Sequence, residues 1–473
     1  MSGNTALRCL ALVFALCTSL DAAAGDGPMP AVSSYRIDAT FVPTSGTMEA
    51  TAEVRFREGA PLPDPLVFYL HGELQVSSVR AAGSEMEFSG RPVLYTYDYS
   101  LVATRVEVAR KGAPLRDGLT VHYAGSFNPS RARSESDYMR IDANGVLLRA
   151  YGYSLWFPVF LEDGVESAPV DFASVVLRTP PGFAAVFAGQ RIREESSPGG
   201  WVSEWRAEGL DLFAAQCVAR RFVVTRVGRA FLYHDADPAS HVSAQRIAAL
   251  TSKLEEAYRQ RYRTDVPDAQ VHVMQMPRYG DISSGNVVGL NAASWAGIEK
   301  DSRARRTLAH ELVHPFVATG TPKADRLFAL AVEGFPSYLH LPVLADLEGE
   351  ASIDDLLRRI ETTYMDRKSG KGSGRHAQPP EKPLLEIRPD EVGLYKDGFV
   401  LGDRALLFLN WLRRRMGKER FTDFTRDLFR ARPLTEVRFR ATVLRFLPGA
   451  EGDLDRWLET NDFPERFRLS AGP

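Results

Sequence analysis

The stretch LAHELVHPF, residues 308 to 316, sets His310 and His314 four residues apart, with Glu311 directly after the first. On a helix, positions i and i+4 project from one face, so both imidazoles can reach a single metal ion. Zinc accepts nitrogen ligands readily, and a hydrolytic zinc site uses three protein ligands and keeps its fourth position for water or substrate. Glu311 beside such a site is the residue type that takes a proton from attacking water as a general base. The bland alternative for the same residues is an ordinary solvated helix face.

A third ligand should come from a neighbouring helix. In DRLFALAVEGFPSYLHL, residues 325 to 341, Glu333 stands in an otherwise apolar run that includes Leu327, Phe328, Leu330, Ala331 and Val332. A carboxylate in such surroundings needs a partner. Eighteen residues, 315 to 332, separate His314 from Glu333, enough for one helix to end, a TGTPK turn, and a second helix to return. The expected cofactor is therefore one Zn2+ per chain on His310, His314 and Glu333. Pro315 removes a helix hydrogen bond and restricts the residue before it, so a kink or stop is expected there.

The elements that must position these residues differ along the chain. In TMEATAEVRF, Met48, Ala50, Ala52, Val54 and Phe56 alternate with Glu49, Thr51, Glu53 and Arg55, the period of a strand with one dry and one wet face. Short runs of this kind recur to about residue 227 between Gly- and Pro-rich breaks, which predicts an antiparallel β-sandwich domain over 26–227. After Arg229 the spacing turns helical in SAQRIAALTSKLEEAYRQRY, AQVHVMQM reads as a strand, and helical segments dominate from 303 onwards. A second domain over 228–473 follows. The Gly-, Lys- and Pro-rich stretch 366 to 383 reads as an exposed loop, and there is no internal repeat.

With 473 residues and 44% hydrophobic content the chain can bury substantial cores, and a net charge of −2 without long like-charge runs gives bulk electrostatics no reason to recruit nucleic acid or an anionic membrane. Residues 1–25 read as a signal peptide: Arg8 is the positive start, Cys9 to Leu20 the apolar core, and Ala22, Ala23 and Ala24 offer the cleavage site. No stretch provides ~20 uninterrupted apolar residues for a membrane span. A soluble monomer exported to the periplasm or secreted is expected. Leu16 before Cys17 is bulky for a lipidation signal, and Cys217, the one cysteine left after cleavage, reads as a small buried hydrophobe.

HELVH, the eighteen-residue spacer and VEGFPSYL resemble the gluzincin metallopeptidases of the aminopeptidase N family, whose pattern is HExxH, eighteen residues, then NEGFASYL. YRIDATFVPTSGTMEATAEVRF looks like that family's opening strands, YSLWFPVF like its WYP-type segment, and LDRWLETNDFP like the end of its catalytic domain. The resemblance implies a multidomain α+β chain: an N-terminal antiparallel β-sandwich followed by a thermolysin-like, mostly α-helical zincin catalytic domain. It also implies a zinc metallopeptidase that takes peptide or protein substrates. Tyr395 in YKDG matches the family's YEKG tyrosine, which donates a hydrogen bond to the transition-state oxyanion. ISSGNVVGL resembles the GAMEN element, whose glutamate holds the substrate's free amine. Gly285, Gly289 and Leu290 fit, while the glutamate position falls on Asn286 or Val287. Gly285 and Asn286 are thus the candidate substrate-binding residues, with no carboxylate between them. Glu299 and a residue of the N-terminal domain are the candidates for a substitute charge, and dependence on a free N-terminus is left open. Two other readings keep the scaffold: a non-peptide hydrolase of epoxide-hydrolase type, and a non-catalytic binding protein, against which Glu311 and Tyr395 both speak.

Overall fold

Alternation along Thr47–Phe56 places Met48, Ala50, Ala52 and Val54 in the core, and the strand pairs antiparallel with Val32–Val42, Ile37 lying opposite Ala52. The computed structural model describes residues 30–95, 101–111, 115, 118–127, 139–148, 155–160, 170–210, 215–262, 270–276, 282–317, 321–322, 324–349, 351–369, 381–392, 399–430, 433–464 and 467–469. Residues 1–25, expected to be a signal peptide, most of the 366–383 stretch and Tyr395 lie outside these.

Val32–Val42 and Thr47–Phe56 are central strands of an eight-stranded sheet, which is antiparallel except where Val32–Val42 runs parallel to Val170–Thr179. A four-stranded and a three-stranded sheet share one apolar core with it, to which Phe41, Phe68, Ile141 and Val186 contribute. Of YSLWFPVF, residues 155–160 are described. Trp156 sits between Phe41 and Phe187, and its indole N–H donates to the Ala215 carbonyl at 2.8 Å, so this buried donor is satisfied.

The next sheet has five strands, in the order Val223–Val227, Ala230–His234, Val271–Met276, Val287–Asn291 and Ile282–Ser284. Its three inner strands are parallel and both edges antiparallel. All of Val271–Met276 is buried, as befits an inner strand covered on both faces. Because side chains alternate, Ala230, Leu232, Val273, Val288 and Leu290 join the core of the helical region, whereas Phe231, Tyr233, Met274, Met276 and Val287 join the core of the β-region. The sheet is a wall common to both. The hairpin of its first two strands straddles residue 227, where the domain break was expected.

Helices pack on the far side of this wall: α1 (Pro238–Arg261), started by an Asp237 cap on the Ser240 amide, α2 (Ala292–Gly297), α3 (Ser302–Val317), α4 (Phe335–Glu348), α5 (Ala351–Lys368), α6 (Ala405–Met416), α7 (Lys418–Arg430), α8 (Glu436–Phe446) and α9 (Glu451–Glu459). No helix among the described residues is long and apolar enough to cross a membrane.

Candidate metal centre

Helix α3 carries His310, Glu311 and His314, and it runs through Pro315 to Val317 rather than stopping at the proline. The edge strand Ile282–Ser284 and its neighbour Val287–Asn291 both pack against α3. The imidazoles turn toward each other, with Nε2 of His310 3.3 Å from Nε2 of His314 and the ring planes at 84°. Glu311 is buried.

Glu333 reaches this pair from a π-helical turn, Leu330–Gly334, that feeds directly into α4. Such wide turns are rare and concentrate at functional sites. Its Oε2 lies 3.7 Å from His310 Nε2, and the donor atoms of His310, His314 and Glu333 all fall within 4.8 Å of one another. The side chains of His310 and Glu333 are 22% and 18% exposed, so the cluster opens to solvent.

The backbone after Glu333 is crowded. Gly334 has φ −66°, which any residue adopts, yet a β-carbon there would stand 2.4 Å from Leu330 Cδ1 and 3.2 Å from Ala405 Cβ. Ala405 follows a second π-helical turn, Phe399–Arg404, which packs on the first. Tyr395 falls a few residues before that turn, outside the described residues.

His340 was not foreseen, though it lies seven residues past Glu333 and so on the same helical face. Its ring centroid is 5.6 Å from that of His310, and its Nδ1–H donates to the Pro336 carbonyl at 2.8 Å. Burial first, and the adjacent His310 second, pull it down to about 3, so it is neutral at pH 7.

The hairpin turn expected to meet substrate is differently engaged. Gly285, at φ +59°, and Asn286 form a two-residue turn between Ile282–Ser284 and Val287–Asn291, a left-handed position that suits glycine. The Asn286 amide accepts from the Gly189 N–H at 2.7 Å and donates to the carbonyls of Gly189 and Gln270 at 2.7 and 2.6 Å. Its acceptor and one donor bond reach Gly189 in the β-region, and the other donor bond stays beside its own sheet at Gln270, because the turn tip abuts the start of strand Gln190–Ser197. A substrate group reaching Asn286 would have to share or displace these bonds. Glu299 is ion-paired with Arg246.

A tetrahedral zinc ion with ligands at ~2.1 Å requires donor atoms roughly 3.4 Å apart. The separations of 3.3 and 3.7 Å lie near that value, the third pair falls within 4.8 Å, and two imidazoles with one carboxylate are a donor set that zinc accepts.

No protein-family model and no curated protein matches the chain. Solved structures do. The M1 zinc metallopeptidase from Deinococcus radiodurans superposes with a TM-score of 0.64 at 21% identity, over 93% of this chain and 96% of that one. Native yeast LTA4 hydrolase superposes with a TM-score of 0.68 at 15% identity, over 92% of this chain and 69% of that one. The same yeast enzyme in complex with bestatin gives a TM-score of 0.68 at 15% identity, over 97% and 72%. Across nearly all of its length, then, this chain has the two-domain fold of the M1 zinc metallopeptidases, and it shares that fold with the part of LTA4 hydrolase that superposes on it.

Proposed function

We propose that the protein is a zinc-dependent hydrolase that cleaves peptide bonds. The observation that carries this reading is the convergence of His310, His314 and Glu333 to zinc-ligand spacing, with Glu311 on the same helix beside them. Zinc held there would polarise a substrate carbonyl and make a water molecule acidic enough to attack it at neutral pH. Glu311 takes the proton from that water and gives it to the leaving amine. The Tyr395 hydroxyl donates a hydrogen bond to the carbonyl oxygen as charge develops. His310, His314 and Glu333 fix the site from two helices, so both must hold their relative placement.

Aminopeptidase character is part of this proposal, without a strict requirement for a free N-terminus. Residues 1–25 act as an export signal and the mature protein works as a monomer. A second reading, hydrolysis of an epoxide, draws on the fold likeness to LTA4 hydrolase. Purified protein assayed on free peptides, N-acetylated peptides and a lipid epoxide, with and without a chelator, separates the two. Chelator-sensitive peptide cleavage supports the first; chelator-sensitive epoxide opening without peptide cleavage supports the second.

A further inference from the structure

Tyr258 lies on α1, outside the metal cluster, and is fully buried. Its hydroxyl donates to the Ala309 carbonyl at 2.7 Å, the residue just before His310. Its ring packs on Phe316, the residue just after Pro315, with centroids 5.5 Å apart. His310, Glu311, His314 and Pro315 all lie between these two contacts.

Pro315 has no N–H to give the Glu311 carbonyl four residues earlier, and its ring crowds that carbonyl. A helix with such a defect tends to bend or fray beyond it, and here the defect falls between the metal-binding imidazoles and the helix end. Yet α3 continues to Val317. We propose that Tyr258 is a positioning residue that splints the metal-binding helix across Pro315, holding His310 and His314 in register with Glu333.

Tyr262 completes the device one turn further along. It stacks on Tyr258 with centroids 6.2 Å apart, and its hydroxyl donates to the Leu339 carbonyl of α4. A single face of α1 thus grips α3 through Tyr258 and α4 through Tyr262, the two elements that bring the histidines and the glutamate together. Neither phenol has water as an alternative partner, because both residues are buried, so each bond is made or wholly lost.

The inference rests on the zinc reading, and its test separates the two. Tyr258→Phe preserves shape and removes only the hydroxyl, while Pro315→Ala restores the missing helix bond. In metal-free protein, hydrogen exchange of the amides in 308–317 reads the splint directly. Zinc affinity by chelator competition, and the visible spectrum of the Co2+-substituted protein, read the placement of the ligands. Tyr258→Phe should speed exchange, weaken zinc binding on the order of tenfold and shift the Co2+ bands. In the Pro315→Ala background the same substitution should change affinity less than about twofold, since an intact helix needs no splint. Unchanged exchange in Tyr258→Phe overturns the splint. Faster exchange with unaltered zinc affinity overturns the positioning role, as does an equal effect in both backgrounds. Wild-type protein that binds neither metal overturns the zinc reading, and the positioning role with it, whatever the exchange shows.

Discussion

The Asn286 side chain pairs with both backbone groups of Gly189, 97 residues away, at 2.7 Å each, as a neighbouring strand would. Gln270 does the same two residues on, accepting from the Arg191 N–H at 2.9 Å and donating to its carbonyl at 3.2 Å. Two side-chain amides therefore lace the β-region to the sheet beside α3. With Gly285 lacking a side chain and Asn286 committed, this turn offers no carboxylate to a substrate ammonium group. Free and N-acetylated peptides should be cleaved with kcat/KM values within about tenfold of each other, a difference of roughly 1.4 kcal/mol. Asn286→Glu should lower stability without improving cleavage of free peptides, since it breaks the lacing. Loss of all cleavage on acetylation would place an amine anchor elsewhere in the site and refute this expectation.

Removing a ligand and removing the base should fail differently. His310→Ala and Glu333→Ala should each lose zinc, as measured by metal analysis of folded protein, because the remaining pair leaves the site short of the three protein ligands it needs. Glu311→Gln should keep zinc and lose nearly all hydrolysis, since the amide matches the carboxylate in shape but cannot take a proton. Tyr395→Phe should lower turnover on the order of 10²-fold with little change in KM, as a bond made only in the transition state requires. Folded ligand variants with full zinc content would sink the assignment.

The candidate cluster was legible because its signal is local: His310 and His314 share a helix, and Glu333 is a carboxylate in an apolar run. Alternation in Thr47–Phe56 was legible for the same reason. What escaped depends on distance in sequence. Strand Val32–Val42 finds its parallel partner with Ser34 opposite Phe172, Asn286 finds Gly189, and Tyr258 finds Ala309. None of these pairings leaves a periodic mark. The domain break at 227 blurs because the five-stranded sheet gives one face to each core, so its strands read as apolar on both sides. The π-helical turn under Glu333 has no residue signature apart from Gly334, whose need is for space.

That need is testable. Gly334→Ala would drive a methyl group into Leu330 and against Ala405, both fully buried. Overpacking of this kind costs about 1–3 kcal/mol. Leu330 begins the turn that aims Glu333, so zinc content should fall along with Tm. A variant with wild-type Tm and zinc content would mean that the turn can absorb the methyl group and that its shape does not set the ligand.

His272 should make the protein lose stability in acid. The ring is fully buried, stacked on Phe231 at 5.2 Å, edge-on to Trp205 at 4.9 Å and hydrogen-bonded through Nδ1 to the Tyr233 hydroxyl at 3.0 Å. Burial first, and the Arg191 guanidinium second, pull it down to about 3. In the unfolded chain a histidine titrates near ~6.5. Between those values the unfolded state holds a proton that the folded state refuses, so stability is complete above pH ~6.5 and falls as pH drops toward 3, by up to about 1.4 kcal/mol per pH unit. His71 and His340, lowered to about 4 and about 3, act in the same direction and remain in any His272 variant. His272→Phe keeps the ring stacking and strands the Tyr233 hydroxyl, which should cost about 1–3 kcal/mol at pH 7.5. It also abolishes one proton-linked loss. Its deficit against wild type should therefore shrink, and can reverse, between pH 6.5 and 4.5 in urea unfolding followed by tryptophan fluorescence. A deficit that stays constant across that range would show that His272 is protonated as readily in the folded protein as in the unfolded chain.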